Sequence, residues 1–330
     1  MERKIAVGDL KSAASVEKWR NACRHLICSR LGEIYADQIT TADVLHWKDD
    51  MAKTIAASQY APTTINTLFS VLRVILAHGK LEFGWPTNPA ADVPPFDTSR
   101  HRTYTEEEPN ALELHELPKF LACMRERHPQ HYAMTYLGLA TGLRPSSLRP
   151  LRRIGKTPDV LWEKNTLLIR RSNARGETVM ESTKTGRDQK LYVPDHVLQV
   201  LRWHIETRLT YPQQIESELL FPSEIGGFRS RSCLDKSFDD VAKAIGLTKN
   251  FTPRGMRRTF QDIARHAGLP DVVTRSISGH ATEEMQMHYS TVSANEQQSA
   301  IARVIELFEA SPANQVGKLV GNLAEEVGNQ

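Results

Sequence analysis

The fold class is decided by residues 160–193, which read VLWEKNTLLIRRSNARGETVMESTKTGRDQKLYV. Strand-forming residues are concentrated there in four short segments, and Asn, Gly and Asp residues separate them: 160–162, 166–171, 179–184 and 190–193. Short segments of this composition with turn residues between them are typical of antiparallel strands. The stretch therefore predicts one small antiparallel sheet, with Lys184 in a turn between two of its strands.

The rest of the sequence predicts helices, because apolar residues recur at helical spacing between capping and breaking residues. Three such stripes precede residue 95: Val16 to Ile27 ended by Gly32, one starting at the Thr40-Thr41 cap, and one following Pro62 and closed by Gly79. Later helices are predicted at 117–124 and 132–140, from Asp195, near Leu234 and Arg257, and from Asp271 and Thr282. The predicted fold class is mainly α with a small antiparallel β-sheet.

A chain of 330 residues is long enough for two globular domains. From Asn88 the sequence becomes rich in proline and charge and loses its apolar periodicity, which is typical of a linker. We therefore predict a helical domain over residues 1–95, a linker over 96–111, a second domain over 112–310 and a polar tail over 311–330.

Charge is balanced over the whole chain but not along it. The chain has 42 Lys and Arg against 39 Asp and Glu, a net charge of +3. Between Arg144 and Lys190 there are twelve basic and five acidic residues. Such a stretch suits a polyanion, because each neutralised phosphate releases counterions, although a solvated charged face is an equal alternative at this point.

Several classes of protein and of chemistry are disfavoured by the sequence. The four cysteines match neither a zinc finger nor a redox motif, and the N-terminus has no signal-peptide core, so a reduced cytoplasmic protein outside the membrane is expected. There is no Gly-rich phosphate loop, no His-Glu-x-x-His and no nucleophile elbow. His128 and His131 can share a helix face but have no evident third ligand, so no metal and no cofactor are predicted.

Four motifs occur in a fixed order in the second predicted domain: ATGLRPSSL at 140–148, TKTG at 183–186, TPRGMRRTF at 252–260, and Ser278-Gly-His280 with Tyr289 nine residues after the histidine. This order and spacing resemble the tyrosine recombinase family, which includes the phage integrases. Upstream, Ile39-Thr-Thr-Ala-Asp-Val, the helix that follows Pro62, and Asn88-Pro89 are similar to the family's core-binding domain. The resemblance covers residues 16–308 and implies a SAM-like core-binding domain followed by a tyrosine recombinase catalytic domain.

The motifs supply what phosphodiester chemistry needs. Attack on a phosphate adds negative charge to its non-bridging oxygens, and the planar guanidinium of arginine binds two such oxygens at once. Because one preorganised donor typically contributes about 3 to 4 kcal/mol, several are required. The resemblance implies Arg144 and Arg257 as clamps joined by His280, Lys184 as general acid for the departing sugar oxygen, and Tyr289 as the nucleophile that forms a 3′-phosphotyrosine.

Two positions depart from the family's pattern. Arg254 stands where the family usually has the histidine of its His-x-x-Arg motif, and an arginine cannot serve as a base, although its charge still favours phenolate at Tyr289. Ser147 stands where the family often has a glutamate that braces the site. These departures favour one alternative, a catalytically degenerate DNA-binding relic. A second alternative is a type IB topoisomerase-like enzyme that nicks and rejoins strands, which has the same arginine, lysine and tyrosine chemistry but lacks the helical domain before Pro95.

The resemblance also implies how the protein meets DNA. The family clamps double-stranded DNA between its two domains, which places Thr63, Asn66 and Arg73 of the helix after Pro62 at the major groove. It works as a homotetramer on paired sites, with accessory DNA-bending or directionality factors as further partners and the bacterial nucleoid as the location of the bound protein. A predicted C-terminal helix carries Ile301, Val304, Ile305 and Phe308 on one face. It packs either on a neighbouring subunit or on its own domain.

Overall fold

The computed structural model of the chain describes residues 1–10, 12–99, 101, 110–175, 178–180 and 188–279, with the backbone alone at 174–175 and 178–180. Contacts between Cα atoms divide the chain into two compact units. The first comprises residues 1–105 and 145–236, and the second comprises residues 106–144 and 237–330. The domain limits expected from the sequence stay predictions.

The described residues confirm the predicted fold class, because helices dominate and the strands are few and short. In chain order the helices are α1 (Glu2–Ala6), α2 (Ala13–Ile27), α3 (Thr41–Ala56), α4 (Pro62–Phe83), α5 (Leu117–Arg127), α6 (Pro129–Thr141), α7 (Pro145–Leu148), α8 (Asp195–Arg208), α9 (Pro212–Glu216), α10 (Asp235–Ala244), α11 (Gly255–His266) and α12 (Asp271–Ser278). The strands are β1 (Val160–Leu161), β2 (Thr166–Ile169), β3 (Ser172–Arg175), β4 (Thr178–Met180) and β5 (Gln189–Tyr192). Two short 3-10 helices span Arg30–Glu33 and Trp162–Lys164.

The N-terminal part of the first unit is a small bundle of α2, α3 and α4 around one apolar core. Local signals in the sequence fix where α3 and α4 begin. Thr40 and Asp43 form a capping box at the start of α3, and Pro62 occupies the first turn of α4, where its missing N–H costs nothing. In the core, the rings of Trp47 and Phe69 stack 6.1 Å apart.

Two helix ends differ from the prediction, and close packing explains both glycines. The helix after Pro62 does not close at Gly79 but continues to Phe83. A Cβ on Gly79 would lie 2.0 Å from Cζ3 of Trp85, so the glycine, which lies within the helix, leaves space for the Trp85 ring to pack against it. Likewise α2 ends at Ile27, and Gly32 lies in a 3-10 turn where a Cβ would meet the carbonyl oxygen of Ile27 at 1.8 Å.

The strands form two separate antiparallel assemblies in the first unit. A three-stranded sheet has the order β1-β2-β5, and β3 pairs with β4 in a two-stranded ribbon. The antiparallel pairing was predicted, but the single strand expected over 166–171 was wrong. The chain leaves β2 after Ile169, uses Arg170 and Arg171 as a junction, and starts β3 at Ser172. The segment 181–187, with Lys184, lies outside the described residues.

The second unit contains α5, α6, α11, α12 and most of α10. Its core includes three phenylalanines from distant parts of the chain: the Phe120 ring lies 5.2 Å from that of Phe238 and 5.1 Å from that of Phe251. Edge-to-face contacts of this kind add about 0.5 to 1.5 kcal/mol each beyond the burial of apolar area. The helices expected from Thr282 and around Ile301 to Phe308 fall outside the described residues.

Candidate active site

Arg144 follows a sharp turn at the end of α6. Gly142 ends the helix with φ of 63°, in the left-handed region that favours glycine. A Cβ at this position would lie 2.6 Å from Cδ1 of Phe260 on α11. The turn is therefore pressed against α11 within the second unit, and Arg144, two residues later, is half-buried.

Arg257 joins two of the motifs through its guanidinium. The residue is 3 % exposed and lies in the first turn of α11. One terminal nitrogen, Nη1, donates to the carbonyl oxygen of Gly142 at 2.9 Å and also to that of Ser278. Gly142 and Ser278 each stand two residues before a predicted catalytic residue, Arg144 and His280. Arg257 thus ties together the backbone segments that lead into both.

The start of α11 is held by a segment that the sequence did not single out. The Asn110 side chain is 2 % exposed, donates to Thr252 Oγ1 at 2.8 Å and accepts from the Thr252 N–H at 2.9 Å. Two residues on, the Leu112 N–H donates to the Thr259 hydroxyl at 2.9 Å. These bonds fix the TPRGMRRTF motif at both ends. Asn110 fell in the predicted linker, and its only sequence signal is a polar residue directly before the apolar pair Ala111-Leu112.

Three arginines begin α11, and their exposure differs sharply. Arg254 is the N-cap residue and its side chain is exposed, whereas Arg257 and Arg258 are buried. The N-terminus of a helix already carries a partial positive charge, so an exposed guanidinium there adds to a field that favours anions. The position at which the family has a base is thus occupied by an accessible cation.

The remaining predicted catalytic residues are not placed. The described chain stops at Gly279, which ends α12 with φ of 69°, so His280 and Tyr289 lie outside it, as does Lys184. Ser147 is half-buried in the short helix α7. The structure therefore brings together the turn before Arg144, Arg257 and the residues before His280, and the roles proposed for the six residues stay predictions.

The three predicted DNA-contacting residues of α4 have different environments. Thr63 is exposed. Asn66 forms a pair of bonds with the backbone of Phe96: its Nδ2 donates to the carbonyl, and its Oδ1 accepts from the N–H, both at 2.8 Å. Arg73 donates to the carbonyl oxygens of Ala90, Ala91 and Val93, and its guanidinium lies 4.6 Å from the Phe69 ring centroid. Asn66 and Arg73 thus anchor the segment that follows α4, and DNA contact by the three residues stays a prediction.

The basic stretch is also less available than its composition suggested. Five of its arginines bond inside the first unit, to carbonyl oxygens or carboxylates: Arg149, Arg152, Arg153, Arg170 and Arg171. Burial lowers the pKa of Arg149 and of Arg153. Three lysines of the stretch, Lys156, Lys164 and Lys190, are exposed. Counting charges in the sequence could not separate these internal arginines from exposed ones.

In the part of the chain that the structure describes, no group of three or more His, Cys, Asp or Glu side chains is arranged so that it could hold a metal ion. His128, one of the two histidines considered from the sequence, contacts the Asp240 carboxylate at 2.8 Å. None of the described helices is long and apolar enough to cross a bilayer.

Comparison with known proteins identifies relatives at the level of fold. Residues 110–296 match the family model described as "Phage integrase family". The Tn1549 transposon integrase, solved with transposon right end DNA, is similar with a TM-score of 0.71 and 19% identity over 92% of this chain and 97% of that one. A lambda integrase dimer on a core site gives 0.63 and 16% over 87% and 92%, and a lambda integrase tetramer on a Holliday junction gives 0.61 and 14% over 85% and 72%. No curated protein sequence matches the chain.

Proposed function

The chain belongs to the phage integrase family, whose model matches more than half of it, and from this premise we propose that it is a site-specific DNA recombinase that acts through a 3′-phosphotyrosine at Tyr289. It has the tyrosine recombinase fold. The proposed catalytic residues are Arg144, Lys184, Arg254, Arg257 and His280, together with the nucleophile Tyr289.

One observation carries the proposal. Arg257 is buried, and its Nη1 donates to the carbonyl oxygens of Gly142 and Ser278, residues that stand 115 and 21 positions away in sequence. These two hydrogen bonds to backbone carbonyls fix the orientation of the buried guanidinium. It supports a preorganised phosphate clamp built from three motifs, because a fixed cation needs no reorganisation when charge develops on the phosphate.

The proposed reaction exchanges one ester for another. The Tyr289 oxygen attacks phosphorus, the bond from phosphorus to the 5′ oxygen breaks, and the DNA 3′ phosphate becomes an ester of the tyrosine. Lys184 gives a proton to the departing 5′ oxygen, and the phenol proton leaves to solvent. Arg144, Arg257 and His280 stabilise the charge on the non-bridging oxygens. Because the phosphotyrosine conserves the bond energy, rejoining requires neither ATP nor a metal ion.

The exposed Arg254 gives this site a distinctive proton pathway. A free phenol has a pKa near 10, so only about one in a thousand molecules is ionised at neutral pH. A guanidinium near Tyr289 favours the phenolate through its charge but accepts no proton. We therefore propose that water takes the phenol proton, and that Arg254 contributes by electrostatics alone.

The substrate is double-stranded DNA, and the assembly is a homotetramer on paired sites. Solved structures of the same fold support this: the Tn1549 integrase is bound to transposon DNA, and a lambda integrase tetramer is bound to a Holliday junction. Accessory DNA-bending or directionality factors are further proposed partners. We also propose that the C-terminal helix predicted from the sequence, with Ile301 and Phe308, packs on a neighbouring subunit.

The decisive experiment traps the covalent intermediate. The full chain is incubated with nicked suicide substrates made from the DNA that flanks its gene, and protein–DNA adducts are counted on denaturing gels. We expect an adduct with the wild-type chain and none with Tyr289→Phe. Specific DNA binding without an adduct at any pH identifies a catalytically degenerate relic. Relaxation of plain supercoiled DNA without a defined site identifies a topoisomerase-like enzyme, and both results contradict the proposal.

The assembly is tested separately. A chain ending at Ala294 should retain binding to a single site but lose the tetrameric synapse, measured by gel mobility and mass photometry. Intact synapsis by the truncated chain would refute the exchange of the C-terminal helix between subunits.

A further inference from the structure

A buried carboxylate in the first unit organises the junction between two strands. Asp159 is 1 % exposed and accepts from Arg170 Nε and Arg171 Nη1, both at 2.8 Å, and from the Arg152 backbone N–H at 2.9 Å. We call Asp159, Arg170 and Arg171 the Asp159 cluster. Arg170 and Arg171 are the two residues between β2 and β3, so the cluster fixes where the chain leaves the sheet and enters the ribbon.

A second buried group holds the ribbon from the other side. Arg149 is 2 % exposed and directly follows α7. Its Nη2 donates to the carbonyl oxygen of Asn173 on β3, and its Nη1 donates to that of Arg229 at 3.3 Å. Asn173 is itself fully buried. The guanidinium therefore bridges β3 to the segment at Arg229, which lies 80 residues after Arg149 in sequence.

Space filling does not explain these charges. Burial lowers the pKa of Arg149, which is the mark of a cation held away from water among neutral acceptors. Replacing buried ionic groups by apolar residues of similar volume is often neutral or stabilising, so an apolar side chain would fill this space as well. What a guanidinium adds is direction, because it fixes the backbone atoms that accept its hydrogen bonds. An isolated two-stranded ribbon is marginally stable in water, so β3 and β4 depend on such external bonds.

Segment 181–187, which carries Lys184, lies in sequence between β4 and β5. Arg149 and the Asp159 cluster hold the two strands with which β4 and β5 pair. On one side β4 pairs with β3, which Arg149 and the Asp159 cluster hold. On the other side β5 begins at Gln189, and it pairs with β2, which ends at the same cluster. We infer that Arg149 and the Asp159 cluster are positioning residues for the general acid Lys184. This inference rests on the function proposed above.

The chemistry of the leaving group separates this role from general support of the fold. Replacing the bridging 5′ oxygen at the cleavage site by sulfur gives a leaving group that departs as a thiolate and needs no proton, because thiols have a pKa near 8.5. A residue that acts through the general acid should matter for the oxygen ester and not for the sulfur ester. A residue that merely stabilises the fold affects both equally.

The experiment compares single-turnover cleavage of the two nicked substrates by the full chain and by variants whose folding is checked by thermal melting. Arg149→Met removes the bridge to β3, and Arg170→Gln weakens the Asp159 cluster at a partly exposed side chain. Lys184→Ala is the reference for loss of the acid. Arg153→Met is the matched control, because Arg153 also donates to backbone carbonyls in this unit, at Gln214, Ile215, Ser217 and Leu219, but to none on β2 or β3.

General acids contribute about a hundredfold or more, and a displacement of about 1 Å costs a similar factor. We expect Arg149→Met and Arg170→Gln to lose about tenfold to a hundredfold on the oxygen ester and to cleave the sulfur ester within about threefold of the wild type, like Lys184→Ala. Arg153→Met should show no difference between the esters. If sulfur rescues Lys184→Ala but neither Arg149→Met nor Arg170→Gln loses cleavage of the oxygen ester selectively, the inference is wrong and the proposed function stands. If Lys184→Ala shows no selective loss, both the acid role and the inference are wrong, and absence of wild-type cleavage on either ester refutes the proposed function itself.

Discussion

Arg254 is the residue at which this site departs most clearly from its family. The side chain is exposed at the N-cap of α11, three residues before the buried Arg257. Because it is accessible and not part of the core, it can be exchanged without repacking its neighbours. That makes it a suitable position at which to test how the phenol loses its proton.

Arg254→His should supply the base that the family usually has. Neutral imidazole accepts a proton and imidazolium does not, so cleavage by the variant should rise with pH through about 6.5, the ordinary pKa of histidine. Adduct formation measured from pH 5 to pH 9 checks this, with Arg254→Lys as a control that keeps the charge and adds no base. Identical pH profiles for the histidine and lysine variants would show that this position does not handle the proton.

Gly142 controls the turn before Arg144. Gly142→Ala combines a left-handed backbone with contact to the Phe260 ring at 2.6 Å. The backbone alone costs about 1 to 2 kcal/mol, and the collision with a buried ring adds to it. Gly268→Ala is the control, because Gly268 has φ of 69° and nothing within 4 Å of the added Cβ. Urea unfolding should show the larger loss of stability for Gly142→Ala, and its cleavage rate should fall with it; equal losses for the two variants would contradict the packing argument.

In the second unit an ion pair joins α5 to α10, in addition to the aromatic core. Arg127 at the end of α5 binds Asp240 of α10 through two bonds of 2.8 and 2.9 Å, and His128 adds a third at 2.8 Å. The hydrogen bonds from Arg127, which have the largest effect, and from His128 lower the pKa of the Asp240 carboxyl far below its ordinary value of 3.8. The three side chains fasten the α5–α6 junction to α10.

Asp240→Asn should therefore destabilise the protein in a pH-dependent way. A carboxyl whose pKa is lowered in the folded state contributes stability above its unfolded pKa, and that contribution is lost as the pH falls below about 4. Melting temperatures of the wild type and the variant should differ at pH 7 and converge in acid. Asp239→Asn, at the exposed neighbouring position, is the control and should follow the wild type. A gap between wild type and Asp240→Asn that persists unchanged down to pH 2 would rule out the carboxylate as its cause.

Element types were predictable from sequence, and some boundaries were not. Periodicity and caps are local, so α3, α5, α6 and α12 were found within a few residues. The helix end predicted at Gly79 was wrong, because the sequence alone does not distinguish a glycine that ends a helix from one that leaves space for a packed ring, here that of Trp85. In the site, the arginine motifs were visible, whereas Asn110 was not, because its partner Thr252 lies 142 residues away. Exposure of the arginines also depends on such distant partners.

At the scale of the whole molecule, the chain that follows α4 is held in place by hydrogen bonds as far as Phe96. Asn66 and Arg73 hold its backbone, and Lys48 donates to the Pro94 carbonyl oxygen at 2.8 Å. These contacts come from α3 and α4, so the helical bundle fixes the backbone between Ala90 and Phe96.

Asn66→Ala should loosen the chain around Phe96. Without the two bonds to Phe96, chymotrypsin should cut after Phe96 several times faster than in the wild type, followed by gel electrophoresis and mass spectrometry. Thr63→Ala, on the exposed side of α4, should leave the cutting rate unchanged. Unchanged cutting in Asn66→Ala together with altered DNA sequence preference would instead assign Asn66 to the reading of DNA.

The second unit is discontinuous, since residues 145–236 intervene between its two parts. On the ribosome, Asn110 and Phe120 emerge long before Thr252 and Phe251 exist. At about 5 to 20 residues per second, a gap of 142 residues takes on the order of ten seconds to translate. For that interval the apolar faces of α5 and α6 that pack on α10 and α11 stay uncovered, so rapid overexpression should favour aggregation through these two helices.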